Sequence, residues 1–360
     1  MNIVYIYEDV PGRGVSNELR CFTPARAINR TKRHTARLLN IIDFELNPRE
    51  TDQICSTKDV IIFHCNLTES VLSAIQHWKA QNKIVVIDFD IHNNLIGSTN
   101  PDYADWHDLK QSISPQDKPI NQEKISPITT NQFKWGLRLA HAATVPSRRL
   151  ADDWREYTDV YYLPNYIDQE IFLNVKLETH EGINIGWGGG NSHLLGFMKS
   201  GVLEALHRVC VARPEVKVII GGGNRRIFDL LLVRDYQKVL IPWVPYSQWA
   251  QILSKFDIGI APLYGKYDER RSWISVLEFM IMKIPWMGSA GPPYFELEEY
   301  GRLIRNDPSA WENVLINIID NINAYKLDAS RLPHLFGISQ SIDENIEKII
   351  GLYQELLNKQ

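Results

Sequence analysis

Ile183–Phe197 reads INIGWGGGNSHLLGF, an apolar strand running into three consecutive glycines and then into a helical pattern that begins near Ser192. Glycine costs backbone entropy on folding, so Gly188, Gly189 and Gly190 together require either a tight turn, with positive φ at Gly189, or close approach of something to bare backbone. Free N–H groups at such a strand–turn–helix junction form an anion cradle, and His193 is placed to donate to a phosphate or to serve as an ordinary surface or capping residue. A second glycine turn, IIGGGNRR, includes Gly222 and follows the next strand. Further on, Lys266, Arg270 and Arg271 give a loop excess positive charge suited to a diphosphate. Glu278 then sits among Val276, Leu277, Phe279 and Met280, where a carboxylate needs a partner. Arg271, seven residues earlier, is the plain structural choice. In the first half, VIDFDIHNN ends a strand with Asp88, Asp90 and His92, a pairing fit for general-base work or for capping a loop.

These residues fall at the ends of short apolar strands. NIVYIY, ARLLNII, DVIIFH, KIVVIDF, AATVPS and DVYYLP alternate with helical patterns in the first half; INIGW, VKVIIGG, KVLIPW, DIGIAPL, IPWMG and RLIRN do so in the second. Unbroken Val/Ile runs flanked by helices imply parallel strands covered on both faces. The expectation is two doubly wound domains facing a cleft, divided near residue 170 after Pro164, with ligands beyond the strand C-termini.

Composition excludes several classes. The 360 residues are 44% hydrophobic and 23% charged, with a net charge of −4, which gives no pull toward nucleic acid. Cys21, Cys55, Cys65 and Cys210 have no C-x-x-C spacing, arguing for a reducing compartment and against a metal cluster. The start, MNIVYIYEDVPGRG, reads as a first strand, and no apolar run reaches the ~18 residues of a membrane span. A cytoplasmic protein, at most peripheral to a membrane, is expected. One stretch departs from the overall balance: Arg13, Arg20, Arg26, Arg30, Lys32, Arg33 and Arg37 face the single acid Glu18. Such a run is either a solvated helix face or a surface for an anionic acceptor or lipid. Its loop, with Gly12, Arg13 and Gly14, aims at the expected cleft, and Arg20 follows it.

DIGIAPLYGKYDERRSWISVLEFMIMKIPWMGS resembles the donor-binding segment of the family 4 glycosyltransferases of GT-B fold, with Asp257, Pro262, Arg271, Ser272, Leu277, Glu278, Pro285 and Ser289 on its pattern. RCFTPARAIN, KIVVIDFDIHNNL with STNPDYADW, LAHAATVPSRRLADDW and YLPNYIDQEIF are similar to further motifs of that family, in the same order along nearly the whole chain. The resemblance implies a GT-B fold of two Rossmann-like domains: 1–170 for the acceptor, 171–340 for a nucleotide-sugar, and a C-terminal helix, 341–360, packing back across the cleft. It implies that Glu278 binds the ribose hydroxyls, that Ser272 and the basic loop hold the donor, and that backbone near Trp243 and Val244 reads the base. The family's first donor-loop glutamate falls at Arg270, and its diphosphate-binding Arg and Lys fall near Trp187 and Leu194; Gly188–Gly190, His193 and Arg271 can substitute for the latter.

The implied activity is retaining transfer from a nucleotide-diphosphate sugar to a glycan, lipid-linked or small-molecule acceptor, without a metal or other cofactor. Asp90, His92 and Arg271 are the candidates nearest the chemistry, the first two as positioning groups. The alternatives are a catalytically degenerate GT-B partner subunit that binds nucleotide-sugar or glycan, and a nucleotide-sugar epimerase on the same fold.

Overall fold

The computed structural model describes residues 1–8, 15–65, 67–92, 95 and 130–359. Two compact units divide the chain: Met1–Pro164 joined by Ile346–Gln360, and Asn165–Asn345. The division thus falls at 164/165, and the returning C-terminal segment starts at Ile346.

The first unit is built on one parallel sheet. Its strands are β1 (Asn2–Tyr7), β2 (Thr35–Asn40), β3 (Val60–His64), β4 (Ile84–Asp88), β5 (Ala142–Val145) and β6 (Val160–Tyr162), in the order β2-β1-β3-β4-β5-β6. All five pairings are parallel. β3 and β4 are buried along their whole length, as the continuous runs VIIFH and IVVID require of central strands covered on both faces. Phe63, Trp78, Phe89, Phe133 and Trp154 fill the core on one side. The helix Ile342–Asn358 belongs to this unit from Ile346 onward; its buried Ile346, Ile349, Ile350, Tyr353 and Leu356 recur at helical spacing. The Tyr353 and Tyr5 hydroxyls lie 3.3 Å apart in the interior.

The second unit repeats the scheme with β7 (Ile183–Gly188), β8 (Val216–Gly221), β9 (Lys238–Leu240), β10 (Ile258–Ala261), β11 (Trp286–Ser289) and β12 (Arg302–Ile304). The order is β12-β11-β10-β7-β8-β9, all parallel. Trp187, Phe197, Ile220, Ile260 and Trp311 anchor its core. Each expected strand segment overlaps an observed strand; β2, β7 and β11 run one residue beyond it, and most of the others are trimmed where the chain turns.

Sheet order fixes where ligands can sit. In a doubly wound sheet, successive crossovers leave from the first strand in opposite directions, and a crevice opens beyond the carboxyl ends at that reversal. In the second unit the reversal separates β7 from β10; in the first it separates β1 from β3. No helix among the described residues is long and apolar enough to cross a membrane.

Candidate functional site

At the reversal in the second unit, the loop after β7 meets the loop after β10. Arg271 joins them: Nη1 lies 3.1 Å from Ser192 Oγ and 3.7 Å from Asp268 Oδ1. Asp268 is itself buried, and its Oδ2 accepts the Tyr264 N–H at 2.8 Å. Burial raises the Asp268 pKa against the opposing influence of Arg271 and the Tyr264 amide. Burial also raises that of the nearby Tyr294 phenol. Ser272 Oγ accepts the Ile274 N–H at 3.1 Å and so starts the helix Ile274–Ile281. Lys266 is exposed, and Arg270 Nη1 donates to the Lys266 carbonyl at 2.9 Å.

The three glycines do three different things. A Cβ on Gly188 would lie 2.0 Å from the Trp249 ring, so this glycine makes room for an indole that also covers Gly221. A Cβ on Gly189 would meet Trp187 at 2.7 Å and His193 at 3.0 Å, whereas at Gly190 nothing lies within 4 Å. None of the three has positive φ; that conformation occurs instead at Gly222 (84°) and Gly223 (73°) in the next turn. The expectation of a positive φ at Gly189 is therefore corrected: Gly188 and Gly189 are needed for space, Gly190 is open, and the positive-φ backbone lies one strand away. The two turns touch, since a Cβ on Gly222 would sit 3.4 Å from the Gly189 carbonyl oxygen. Gly223 N–H donates to Ile241 O at 2.9 Å, which ties the second turn to the segment of half-exposed Trp243 and half-buried Val244.

His193 differs from its expected form. It is buried against Trp187, and its Nδ1 has no hydrogen-bond partner. Burial, followed by the adjacent Arg271 charge, lowers its pKa well below the usual imidazole range, so it is neutral. The regular helix after it is only Leu194–Lys199. Positive charge at this turn therefore comes from Arg271 and from backbone N–H groups, with neither an imidazolium nor a long helix dipole behind it.

Glu278 is buried and does not pair with Arg271. Its Oε2 accepts the Trp249 indole N–H at 2.8 Å. Burial raises its pKa to about 7, partly offset by the Trp249 hydrogen bond and the polar influence of the Tyr246 hydroxyl. Sequence reasoning missed Trp249, twenty-nine residues away; the signal was a tryptophan beside two strand-end glycines, legible only once the strands are paired.

In the first unit, Arg20 is in the interior. It lies in a π-helical turn, Glu18–Phe22, and its Nε and Nη2 donate to both Asp88 oxygens at 2.9 and 2.5 Å, while Nη1 donates to Leu163 O at 2.6 Å. This corrects its reading as part of an acceptor-facing surface: a charge this deeply buried must be fully paired, and Asp88 pairs it. Asp88 also receives Thr144 Oγ1 at 2.5 Å and faces His64 Nδ1 at 3.0 Å. Burial would raise the Asp88 pKa, but Arg20 and His64 outweigh it and hold it well below the usual carboxylate range. Asp90 accepts Ser16 Oγ–H at 2.6 Å, and His92 Nε2 lies 3.5 Å from Asp153 and against Trp154. The structure does not bring Asp90 and His92 together as a pair. Gly12, Arg13 and Gly14, like the STNPDYADW motif, lie outside the described residues.

No protein-family model matches the chain, and no curated protein matches its sequence. Solved structures do match its fold. Sucrose-phosphate synthase from Thermosynechococcus elongatus is 13% identical with a TM-score of 0.62, covering 99% of this chain and 100% of that one. Anabaena HepE in complex with UDP and glucose is 12% identical with a TM-score of 0.63, covering 98% and 99%. UDP-GlcNAc 2-epimerase from Neisseria meningitidis, bound to UDP-GlcNAc, is 11% identical with a TM-score of 0.53, covering all of both chains. Two six-stranded parallel α/β units that match such structures along their full length define the fold as GT-B.

Proposed function

We propose that this chain is a glycosyltransferase that binds a nucleotide-diphosphate sugar in its second unit, as the family 4 resemblance implies. One observation carries the reading: at the β7/β10 reversal, open backbone at Gly190 in the connection after β7 stands with the Arg271 guanidinium and the buried Glu278 carboxylate from the connection after β10. These are the groups a nucleoside diphosphate requires: N–H donors and a cation for phosphate, and a carboxylate for a vicinal diol. The UDP ligands named for Anabaena HepE and for the Neisseria epimerase support a uridine nucleotide as the first to test.

In the transfer, an acceptor hydroxyl oxygen bonds to the anomeric carbon from the face that the diphosphate leaves. The bond from that carbon to the phosphate oxygen breaks, and the departing phosphate takes the hydroxyl proton. The rate comes from positioning and from stabilising charge on the leaving diphosphate, a task assigned to Arg271, Lys266, Arg270 and the glycine-turn amides. The acceptor, whether glycan, lipid-linked or small molecule, is assigned to the first unit, with Asp90 and His92 as positioning groups.

The second reading, a binding subunit without turnover, draws on Arg270, which holds the place of a donor-loop glutamate and is engaged with the Lys266 carbonyl. Incubation with UDP-, GDP- and ADP-sugars separates the alternatives. Slow release of nucleoside diphosphate supports the transferase. Stereochemical change of the sugar without acceptor indicates an epimerase. Binding with neither indicates a non-catalytic subunit.

A further inference from the structure

The first unit contains a cavity of about 320 Å³ at the carboxyl ends of β1 and β2, within the size range of small-molecule sites. β2 is the edge strand and β1 borders the reversal, so the cavity lies one strand away from the crevice position. The two helices that follow β2 form its wall. Helix Ile41–Leu46 is anchored by Phe44, edge-on to Phe63 and Trp78, and helix Pro48–Ser56 by Ile54 and Cys55. Tyr7, Leu39 and Ile54 are buried and give the cavity apolar surface, and the Tyr7 ring is held edge to face against Phe22 at 4.8 Å.

Two uncharged polar side chains of this lining have no structural task. Asn47 occupies the N-cap position of helix Pro48–Ser56, yet its amide caps nothing, although asparagine is among the best caps. Thr51 is 3% exposed, and its hydroxyl has no hydrogen-bond partner among the described residues. Arg37, Asp43 and Glu50 complete the lining as exposed charges, and none of them forms an ion pair among the described residues. Arg37 shares a face of β2 with buried Leu39, two residues on, which sets it apart from the rest of the basic stretch.

We propose that this cavity binds a neutral sugar ring of the acceptor, which makes the acceptor a glycan; the acceptor role, though not the binding itself, rests on the transferase reading. The lining selects against the other ligand classes. An anion at Arg37 would face Asp43 and Glu50, and a cation at those carboxylates would face Arg37. A small zwitterion would leave most of the volume and the apolar surface uncovered. An apolar ligand would cover Thr51 and Asn47 without pairing them, at the cost of their desolvation. Sugar hydroxyls donate to the carboxylates and accept from Arg37 and Asn47, while the C–H faces of the ring pack on Tyr7 and Leu39.

The test uses the full chain without nucleotide. Saturation-transfer NMR and titration are run with the methyl glycosides of glucose, galactose, mannose and N-acetylglucosamine, and with inorganic phosphate, glucosamine and glycine as charged controls. At least one neutral glycoside should bind, and the controls should not. Thr51→Val removes the hydroxyl at nearly constant shape, and Asn47→Ala removes an amide that caps nothing. Each should melt like wild type and weaken the glycoside by about three- to tenfold, and Arg37→Gln should do the same. A merely structural role would instead lower the melting midpoint and leave the affinity of the folded variant intact. No binding of any neutral glycoside, preference for a charged control, or undiminished binding in all three variants would overturn the proposal. A chain that binds UDP-sugars but no glycoside overturns this proposal alone; one that binds a glycoside but no nucleotide-sugar keeps the saccharide site and overturns the transferase reading.

Discussion

Trp249 donates its indole N–H to Glu278 at 2.8 Å while its ring lies over the ends of β7 and β8, where Gly188 and Gly221 leave room for it. One side chain thereby fixes the carboxylate in register with the glycine turn. Trp249→Phe keeps most of the packing and removes the donor. A hydrogen bond to a charged group contributes about 1.5–3 kcal/mol, so donor affinity at neutral pH should fall by roughly ten- to hundredfold in calorimetric titration, with secondary structure intact.

Glu278 should make both stability and binding depend on pH. Its pKa is raised from 4.5 to about 7 in the folded chain. A raised carboxylate stabilises the fold fully below its unfolded pKa, and that contribution is lost as pH rises through the folded value. Between pH 4.5 and 7 this amounts to about 3 kcal/mol. Urea melts of wild type and Glu278→Gln across this window should diverge, the wild type losing stability relative to the variant as pH rises. Donor affinity should run the other way in wild type, rising through pH 7 as the carboxylate ionises, and should stay flat in the variant.

Gly188 and Gly190 should respond oppositely to alanine. Gly188→Ala drives a methyl into Trp249, so it should lower stability by about 1–3 kcal/mol and weaken donor binding through the displaced indole. Gly190→Ala meets nothing within 4 Å and should melt like wild type. Any loss of donor affinity in Gly190→Ala then reports the ligand's own approach to that backbone; equal melting defects in the two variants would contradict the assignment.

Arg20 and its basic neighbours should separate cleanly. Arg20→Met removes the guanidinium that engages both Asp88 oxygens and leaves the buried carboxylate with only Thr144 and His64, which should cost about 3 kcal/mol in the melting of the first unit. Replacing Arg30, Lys32 and Arg33 with serine should change stability little. If the stretch serves an anionic acceptor or membrane, the triple variant should lose affinity for anionic vesicles. Unchanged vesicle binding would mark it as a solvated face.

The twelve strands were legible because each lies in a short apolar run between helical patterns, a signal clearest in β3 and β4, whose VIIFH and IVVID are buried throughout. Glu278 was legible for a related reason: a carboxylate in so apolar a run must be held by something. What held it was not. Trp249, twenty-nine residues before it, and the Arg20–Asp88 pair, sixty-eight residues apart, are contacts that only strand pairing creates. The basic stretch misled over Arg20 because a run of cations in sequence does not distinguish the one turned inward by a π-helical turn.

The most direct test of the account is calorimetric titration of wild type and Glu278→Gln with UDP-glucose, UDP-GlcNAc and the GDP- and ADP-sugars, paired with a urea melt of the variant at pH 8, where Glu278 is ionised. The account predicts that one nucleotide family binds wild type and that Glu278→Gln weakens it by about 2–4 kcal/mol, roughly 30- to 1000-fold, while the variant folds at least as stably as wild type. Undiminished donor affinity in a folded Glu278→Gln protein, or no binding by any nucleotide-sugar of the panel to wild type, would contradict it.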